Sequence, residues 1–142
     1  MEKLIKMITR HEGVRSHMYI CSKNMETIAI GRSIGPGGLG LSDDEISYLL
    51  ANDINRVIDE LSASFPWFLE LDSVRRDAII DICFNLGITK LLKFSNAIRA
   101  MEEQDHDSAA IHFFDSRWAR QVGDRADELC EMIRTGEYRV CH

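Results

Sequence analysis

Apolar residues recur at helical spacing through most of this chain. The clearest run is Ile46, Leu49, Leu50, Ile54, Val57, Ile58 and Leu61, at offsets 0, 3, 4, 8, 11, 12 and 15. That spacing predicts one long amphipathic helix over about 43–65, stopped by Pro66. Ser42-Asp43-Asp44-Glu45 opens it as a capping box. A second helix is expected after Asp72, where Val74, Ala78, Ile79, Ile82, Cys83 and Leu86 form a stripe that Ile80 and Phe84 make almost continuous around the helix. A helix that apolar belongs in a core, and Gly87 closes it. Leu4, Ile5 and Ile8 give the first ten residues one apolar face, with Gly13 as a stop. Shorter helices are expected from Ser95, from Asp107 and from Asp124, the last ending at Gly136.

One region breaks the helical period. From Ser16 to Gly31, Tyr19, Ile20, Thr27, Ile28 and Ile30 favour strands, and Ser22-Lys23-Asn24 reads as the turn of a small antiparallel sheet. Gly35-Pro36-Gly37-Gly38-Leu39-Gly40 reads as loop. The expected class is therefore α+β, predominantly helical: a β-rich lobe over about 14–41, a connecting helix over about 43–65, and a helical lobe over about 66–142 that also takes in residues 1–12. A length of 142 residues suits this single catalytic-domain size.

Composition narrows the classes of function. The net charge of −6 argues against a general nucleic-acid binder, although Arg117, Arg120 and Arg125 cluster, as do Arg134 and Arg139. No apolar run approaches the length of a membrane span, and Lys3, Lys6 and Arg10 interrupt what would be the core of a secretory signal. The expectation is a soluble chain made in the cytoplasm, without membrane anchor. Cys21, Cys83, Cys130 and Cys141 show no metal-binding spacing, and no metal or organic cofactor is suggested. Cys83 and Cys130 fall within apolar helical patterns, where a thiol acts as a small hydrophobe.

The junction between two unequal lobes is a natural ligand cleft. Glu12, at the end of the first helix, is placed to be a general acid there, held protonated by burial; taken alone, a glutamate at a helix end is more often a solvated surface group. Thr27, alone, is an ordinary strand residue.

Together with their surroundings these residues form a pattern. His11-Glu12-Gly13, Tyr19, Thr27-Ile28-Ala29-Ile30-Gly31, Leu71 to Ala78, Ser116-Arg117-Trp118, Gln121, Asp124-Arg125-Ala126 and Arg134-Thr135-Gly136 follow in one order. In this the chain resembles the phage lysozymes, the endolysins of the T-even phage type. The resemblance covers almost the whole chain and is weakest from Ser33 to about Phe68. It implies a lysozyme-like fold and a muramidase that hydrolyses the β-1,4 bond between N-acetylmuramic acid and N-acetylglucosamine of peptidoglycan. The family's catalytic glutamate matches Glu12 and its threonine matches Thr27, which would hold the attacking water. Its aspartate position, nine residues after Glu12 and six before Thr27, is Cys21. A free thiol has a pKa near about 8.5 and is mostly neutral at pH 7. Cys21 can therefore serve as a weak acceptor for water, as a nucleophile if deprotonated, or as a small residue without chemistry.

Arg125 matches a family arginine that pairs with the catalytic glutamate and fixes its rotamer. The family's sugar-binding positions fall on Ser33, Phe84, Ala97 and His112, with Asn85 and Gln121 nearby; Ala97 lacks the hydroxyl found there in the T-even form. Phe84 can equally be core and His112 surface. The implied partners are peptidoglycan glycan strands and, for access to the periplasmic wall from the host cytoplasm, a membrane-permeabilising holin. The chain is expected to be monomeric. Arg32 stands where the T-even enzyme has an ion-paired histidine, and the sequence assigns it no partner. Two other readings stay open: a lytic transglycosylase working with Glu12 alone, and a non-catalytic peptidoglycan-binding protein.

Overall fold

The structure, a computed structural model, describes residues 1–14, 27–28 and 32–139. Eight α-helices dominate the described residues: α1 Glu2–Glu12, α2 Asp43–Ser64, α3 Ser73–Leu86, α4 Ile88–Leu91, α5 Ser95–Glu102, α6 His106–Phe114, α7 Arg117–Val122 and α8 Asp124–Thr135. The strands β1 (Thr27–Ile28) and β2 (Arg32–Ser33) pair antiparallel, with Thr27 opposite Ser33 and Ile28 opposite Arg32. The predominantly helical, lysozyme-like class expected from the sequence is the one found. Tyr19, the turn at 22–24, Cys21 and Cys141 lie outside the described residues. By internal contacts the chain divides into two compact units, Met1–Asp53 and Ile54–His142, with the boundary inside α2.

In the first unit, α1 buries Leu4, Met7 and Ile8, while Ile5 is only partly covered. The capping box at the start of α2 forms in both directions: the Ser42 amide donates to Glu45 Oε1 at 3.0 Å, and the Glu45 amide donates to Ser42 Oγ at 3.3 Å. After β2 the loop makes a tight turn closed by the Gly38 amide donating to the Gly35 carbonyl at 3.0 Å. Pro36 presets the second turn position, and Gly37, at φ 84°, supplies the positive φ required at the third. The loop returns Arg32 to Glu45: its guanidinium donates to Glu45 Oε2 and, at 3.3 Å, to the Gly40 carbonyl. Glu45 is thus the partner that the sequence did not assign to Arg32.

The second unit is built on α3. Ala78, Ile79, Ile80, Asp81, Ile82 and Cys83 are all buried in succession, as the near-continuous apolar pattern predicts for all but Asp81. Asp72 caps the helix, its Oδ2 accepting from the Arg75 amide at 3.1 Å. Arg75 then reaches the end of α8: Nε donates to the Ile133 carbonyl at 2.6 Å and Nη2 to the Arg134 carbonyl at 3.2 Å. Because Asp81, further along α3, meets Arg125 near the start of α8, the two helices run antiparallel. Helix α8 also packs on α6 and α7, and α5 packs on α6. Phe94 and Phe113 meet at 5.5 Å between ring centres, and Phe65 stacks on Trp67 at 4.9 Å.

Three details go beyond the sequence pattern. Of the seven-residue stripe on α2, only Ile54 and Leu61 are fully buried, and Leu49 is exposed. Period fixes which face is apolar; the depth of cover is set by what packs there. Helix α6 starts at His106 rather than Asp107, because Asp105 is its cap, with Oδ1 accepting from the Ser108 amide at 3.2 Å. Helices α4 and α7 were not anticipated; at four and six residues they are too short to show a period.

The Arg32 ion pair and the capping box hold the Glu45 carboxyl down, to a pKa of about 2. A carboxylate depressed on folding adds stability above its unfolded pKa and loses it as pH falls through the folded value. Glu45→Gln should therefore be less stable than the parent at pH 7, and the two should converge as pH falls from about 4.5 to about 2. Thermal melts across that range test this, and a constant difference would refute it.

Candidate active site

Glu12 is the last residue of α1 and is exposed. The helix ends beneath it because Gly13 takes φ 76° and returns its amide to the Thr9 carbonyl at 2.9 Å. Thr27 lies on β1, where the strand register sets it opposite Ser33 on β2. Two candidate residues distant by six positions in sequence are thereby adjacent in the sheet. The Ser33 Oγ is buried under the loop: a Cβ added at Gly38 would come within 2.3 Å of it. Only glycine fits there, and Gly38 is what lets the loop close over β2. Cys21 lies outside the described residues.

The remaining candidates belong to the second unit. Phe84 and Asn85 occupy the last turn of α3; Phe84 is part-buried and Asn85 exposed. The Asn85 amide is not free to rotate, because its Oδ1 accepts from the indole N–H of Trp118 at 2.8 Å. Trp118 is buried at the base of α7, whose first turn is capped by Ser116 Oγ accepting from the Ala119 amide at 3.1 Å. An indole nitrogen can only donate, so Oδ1 must face it and the Asn85 NH₂ is directed away. Gln121 is exposed one turn beyond Trp118, and His112 is exposed on α6. Ala97, at 1% exposure, is a core residue of α5 and no sugar contact.

Arg125 differs from the other candidates in being buried, at 9% exposure. Its Nε and Nη2 lie 2.9 and 2.8 Å from Asp81 Oδ1, and Asp81 has no exposed surface. No motif in the sequence marks Asp81. The available signal was an acidic residue in the middle of an otherwise apolar helix, a position that requires a cationic partner. Cys83 and Cys130 are buried thiols pushed up to a pKa of about 12 by desolvation, which makes both unreactive. An open groove of about 880 Å³ between α6 and α8, flanked by Ile111, Phe114 and Arg134, contains none of the candidate residues.

This helical architecture and ordered set of residues define a lysozyme-type protein. The family model for phage lysozymes matches residues 9–134, and the chain belongs to that family. Similar proteins include "Probable T4-type lysozyme 2" of Dictyostelium discoideum, 24% identical over 163 aligned positions that cover 96% of each chain. "Probable T4-type lysozyme 1" of the same organism is 30% identical over 69 positions, 49% of this chain and 41% of that relative. The "Pre-baseplate central spike protein Gp5" of Enterobacteria phage T4 is 24% identical over 94% of this chain, which corresponds to 28% of the spike protein. The first unit's strand pair, the second unit's α3 and α7, and α8 as far as Arg134 fall within the matched span. No described helix is long and apolar enough to cross a membrane.

The Trp118–Asn85 bond has a measurable consequence. Trp118→Phe removes the donor and some volume, so stability should fall by the roughly 1 kcal/mol of a hydrogen bond plus a packing loss of similar size. Urea midpoints give the stability. The Asn85 side-chain amide resonances should shift towards free-asparagine positions in the variant as the restraint on Oδ1 is lost. Unchanged resonances would show that the bond does not restrain the amide.

Proposed function

We propose that this protein is a muramidase that cleaves the β-1,4 bond between N-acetylmuramic acid and N-acetylglucosamine, with the wall glycan as substrate. The observation that carries the reading is the family match over residues 9–134, which takes in Glu12, Cys21, Thr27 and Arg125. Glu12 gives its proton to the glycosidic oxygen as the C1–O bond breaks. Water attacks the anomeric carbon from the opposite face and inverts it, with Thr27 holding that water. Cys21 stands in the aspartate's place and, as thiolate, accepts the proton the water releases; the product carries the water's oxygen at C1. Arg125 supports Glu12. Asn85, with its NH₂ directed away from Trp118, suits an acetamido carbonyl, and Ser33, Phe84, His112 and Gln121 complete the proposed glycan contacts.

The protein's place of action follows from the same reading. It is made in the host cytoplasm and reaches the periplasmic wall once a holin has permeabilised the membrane. The net charge of −6 gives no general attraction to an anionic polymer, so local arginines must supply any steering. It acts as a monomer, with no nucleic-acid partner.

Glu12→Gln keeps the shape of the side chain and removes the acid proton. It should lower the lysis of outer-membrane-permeabilised Gram-negative cells by about 10²–10⁴-fold. Mass spectrometry of the released muropeptides should show reducing ends that contain the added water; 1,6-anhydro ends would indicate a transglycosylase instead. Lysis by Glu12→Gln at the parent rate would end the reading.

Cys21 gives a second test. A small thiol-alkylating reagent should inactivate the parent, Cys21→Ala should lose most activity together with that sensitivity, and Cys21→Asp should recover activity. Single replacements of Cys83, Cys130 or Cys141 should reproduce none of this. If Cys21→Ala lysed cells as fast as the parent, Cys21 would have no part in the chemistry.

A further inference from the structure

Helix α6 is apolar on two sides. Ala109, Ala110 and Phe113 are buried, whereas Ile111 and Phe114 stand outside the core at 65% and 53% exposure. These two are three positions apart and therefore neighbours on the helix surface. They line the groove of about 880 Å³ between α6 and α8, which lies wholly within the second unit. A scattered exposed apolar residue needs no explanation, but adjacent ones along a concave, polar-rimmed surface mark a contact that the chain alone does not make.

The lining has the form of a seat for a helix. From α6 come Asp107, Ala110, Ile111 and Phe114, and from α8 come Asp127, Cys130, Glu131 and Arg134. Each set has the spacing i, i+3, i+4, i+7 of a single helix face. Two helices packed side by side leave a furrow into which a third can settle. The buried members of the lining, Ala110 and Cys130, are small, so a helix can approach closely between the larger Ile111 and Phe114 and the face of α8. The seat extends over about two helical turns, about 10 Å.

Charge decides which kind of helix fits. Glu131 is matched within the chain by Arg139, whose Nε and Nη2 donate to its Oε2 at 3.1 and 2.9 Å. The exposed carboxylates of Asp107, Asp115 and Asp127 remain, with Arg134 as the other cation of the lining. That excess repels nucleic acid, anionic lipid and an anionic wall polymer, and attracts Lys and Arg. A second copy of this chain is a poor match. It carries a net charge of −6, and α1, which presents Lys3, Lys6 and Arg10, already buries its apolar face.

We propose that the α6–α8 groove is a docking site for a cationic amphipathic helix of a partner protein. The apolar face of that helix seats on Ile111 and Phe114, and its Lys or Arg residues pair with Asp107, Asp115 and Asp127. The proposal does not depend on the muramidase reading, because no residue lining the groove has a part in that chemistry.

The probe is a synthetic peptide of about 16 residues, roughly four helical turns, with Leu at i, i+3, i+4, i+7 and i+11 and Lys flanking that stripe. A second peptide has Glu in place of every Lys. Fluorescence anisotropy with the full-length protein at physiological salt measures both affinities. The Lys peptide should bind the parent at least about 10-fold more tightly than the Glu peptide. Ile111→Ser/Phe114→Ser should keep the parent's circular dichroism and weaken binding of the Lys peptide by about 10-fold or more. Asp107→Lys/Asp115→Lys/Asp127→Lys should reverse the order of the two peptides. Reversing three exposed acids outside the groove, Asp59, Glu70 and Glu103, should not.

The proposal is overturned if folded Ile111→Ser/Phe114→Ser binds the Lys peptide as the parent does. It is equally overturned if the reversals outside the groove weaken binding as much as those within it, since the peptide would then be adhering to net charge alone. A parent that sediments as a dimer, and that Ile111→Ser/Phe114→Ser returns to monomer, would assign the groove to a second copy and overturn it too. Should the double variant fail to fold, Ile111→Ser and Phe114→Ser singly make the same comparison.

Discussion

The second unit depends on one constraint: a charge in its interior must have a partner there. Asp81 has no exposed surface and Arg125 is 9% exposed, so neither can recover its lost hydration from solvent. Each is tolerated only because the other is present, and removing one alone typically costs about 3–5 kcal/mol. That requirement sets where α8 starts against α3. Ile79 and Ile82 of α3 and Leu129 and Ile133 of α8 are buried as well, but apolar burial is non-directional and does not by itself select a register.

A second polar contact removes the remaining freedom. Arg75, six residues before Asp81 on α3, donates to the carbonyls of Ile133 and Arg134 at the end of α8. A slip of one helical turn, about 5.4 Å, would preserve most of the apolar contact but could not keep both Arg75 and Asp81 bonded. The same contact explains why two sequence blocks far apart in the chain, Leu71–Ala78 and Arg134–Gly136, accompany each other in the resemblance to the phage lysozymes. Arg75 joins them, and a side chain at Gly136 would come within 3.0 Å of its guanidinium. Tyr138 adds a third tie by donating to Asp77 on α3, whose pKa is raised by burial.

The parts of the fold that were legible in the sequence are those governed by local rules. The Ser42–Glu45 box, the Asp72 cap and the stops at Gly13, Gly87 and Gly136 each depend on residues within one turn of one another, and each forms. The all-round apolar pattern of α3 correctly announced a buried helix. What could not be read locally were the polar contacts across elements. Arg32 to Glu45, Asn85 to Trp118 and Asp81 to Arg125 span 13, 33 and 44 residues of chain, and no period or motif connects their members. The family resemblance supplied Glu12, Thr27 and Arg125 as candidates but gave no reason to notice Asp81. That reason is physical: an acidic residue inside the apolar run of α3 stands out in the sequence, and its partner Arg125 appears only in the structure.

Two of the candidate residues share a structural device. Glu12 and Asn85 both stand in the last turn of a helix stopped by glycine, Gly13 at φ 76° and Gly87 at φ 83°. In each case the glycine amide returns to the carbonyl four residues earlier, Thr9 at 2.9 Å and Cys83 at 2.7 Å, so a backbone hydrogen bond closes the last turn below the polar side chain. A Cβ at either glycine would meet nothing within 4 Å, so it is backbone conformation, not space, that requires glycine there. An L-residue in that conformation is strained by about 1–2 kcal/mol and would favour extending or fraying the helix. A helix that ends abruptly sets a polar side chain at the edge of a rigid element, exposed on one side and fixed at its base. Within each unit, buried anchors below the edge with an exposed group at it let an apolar core fix the base of a polar side chain without placing unpaired polar groups inside that core.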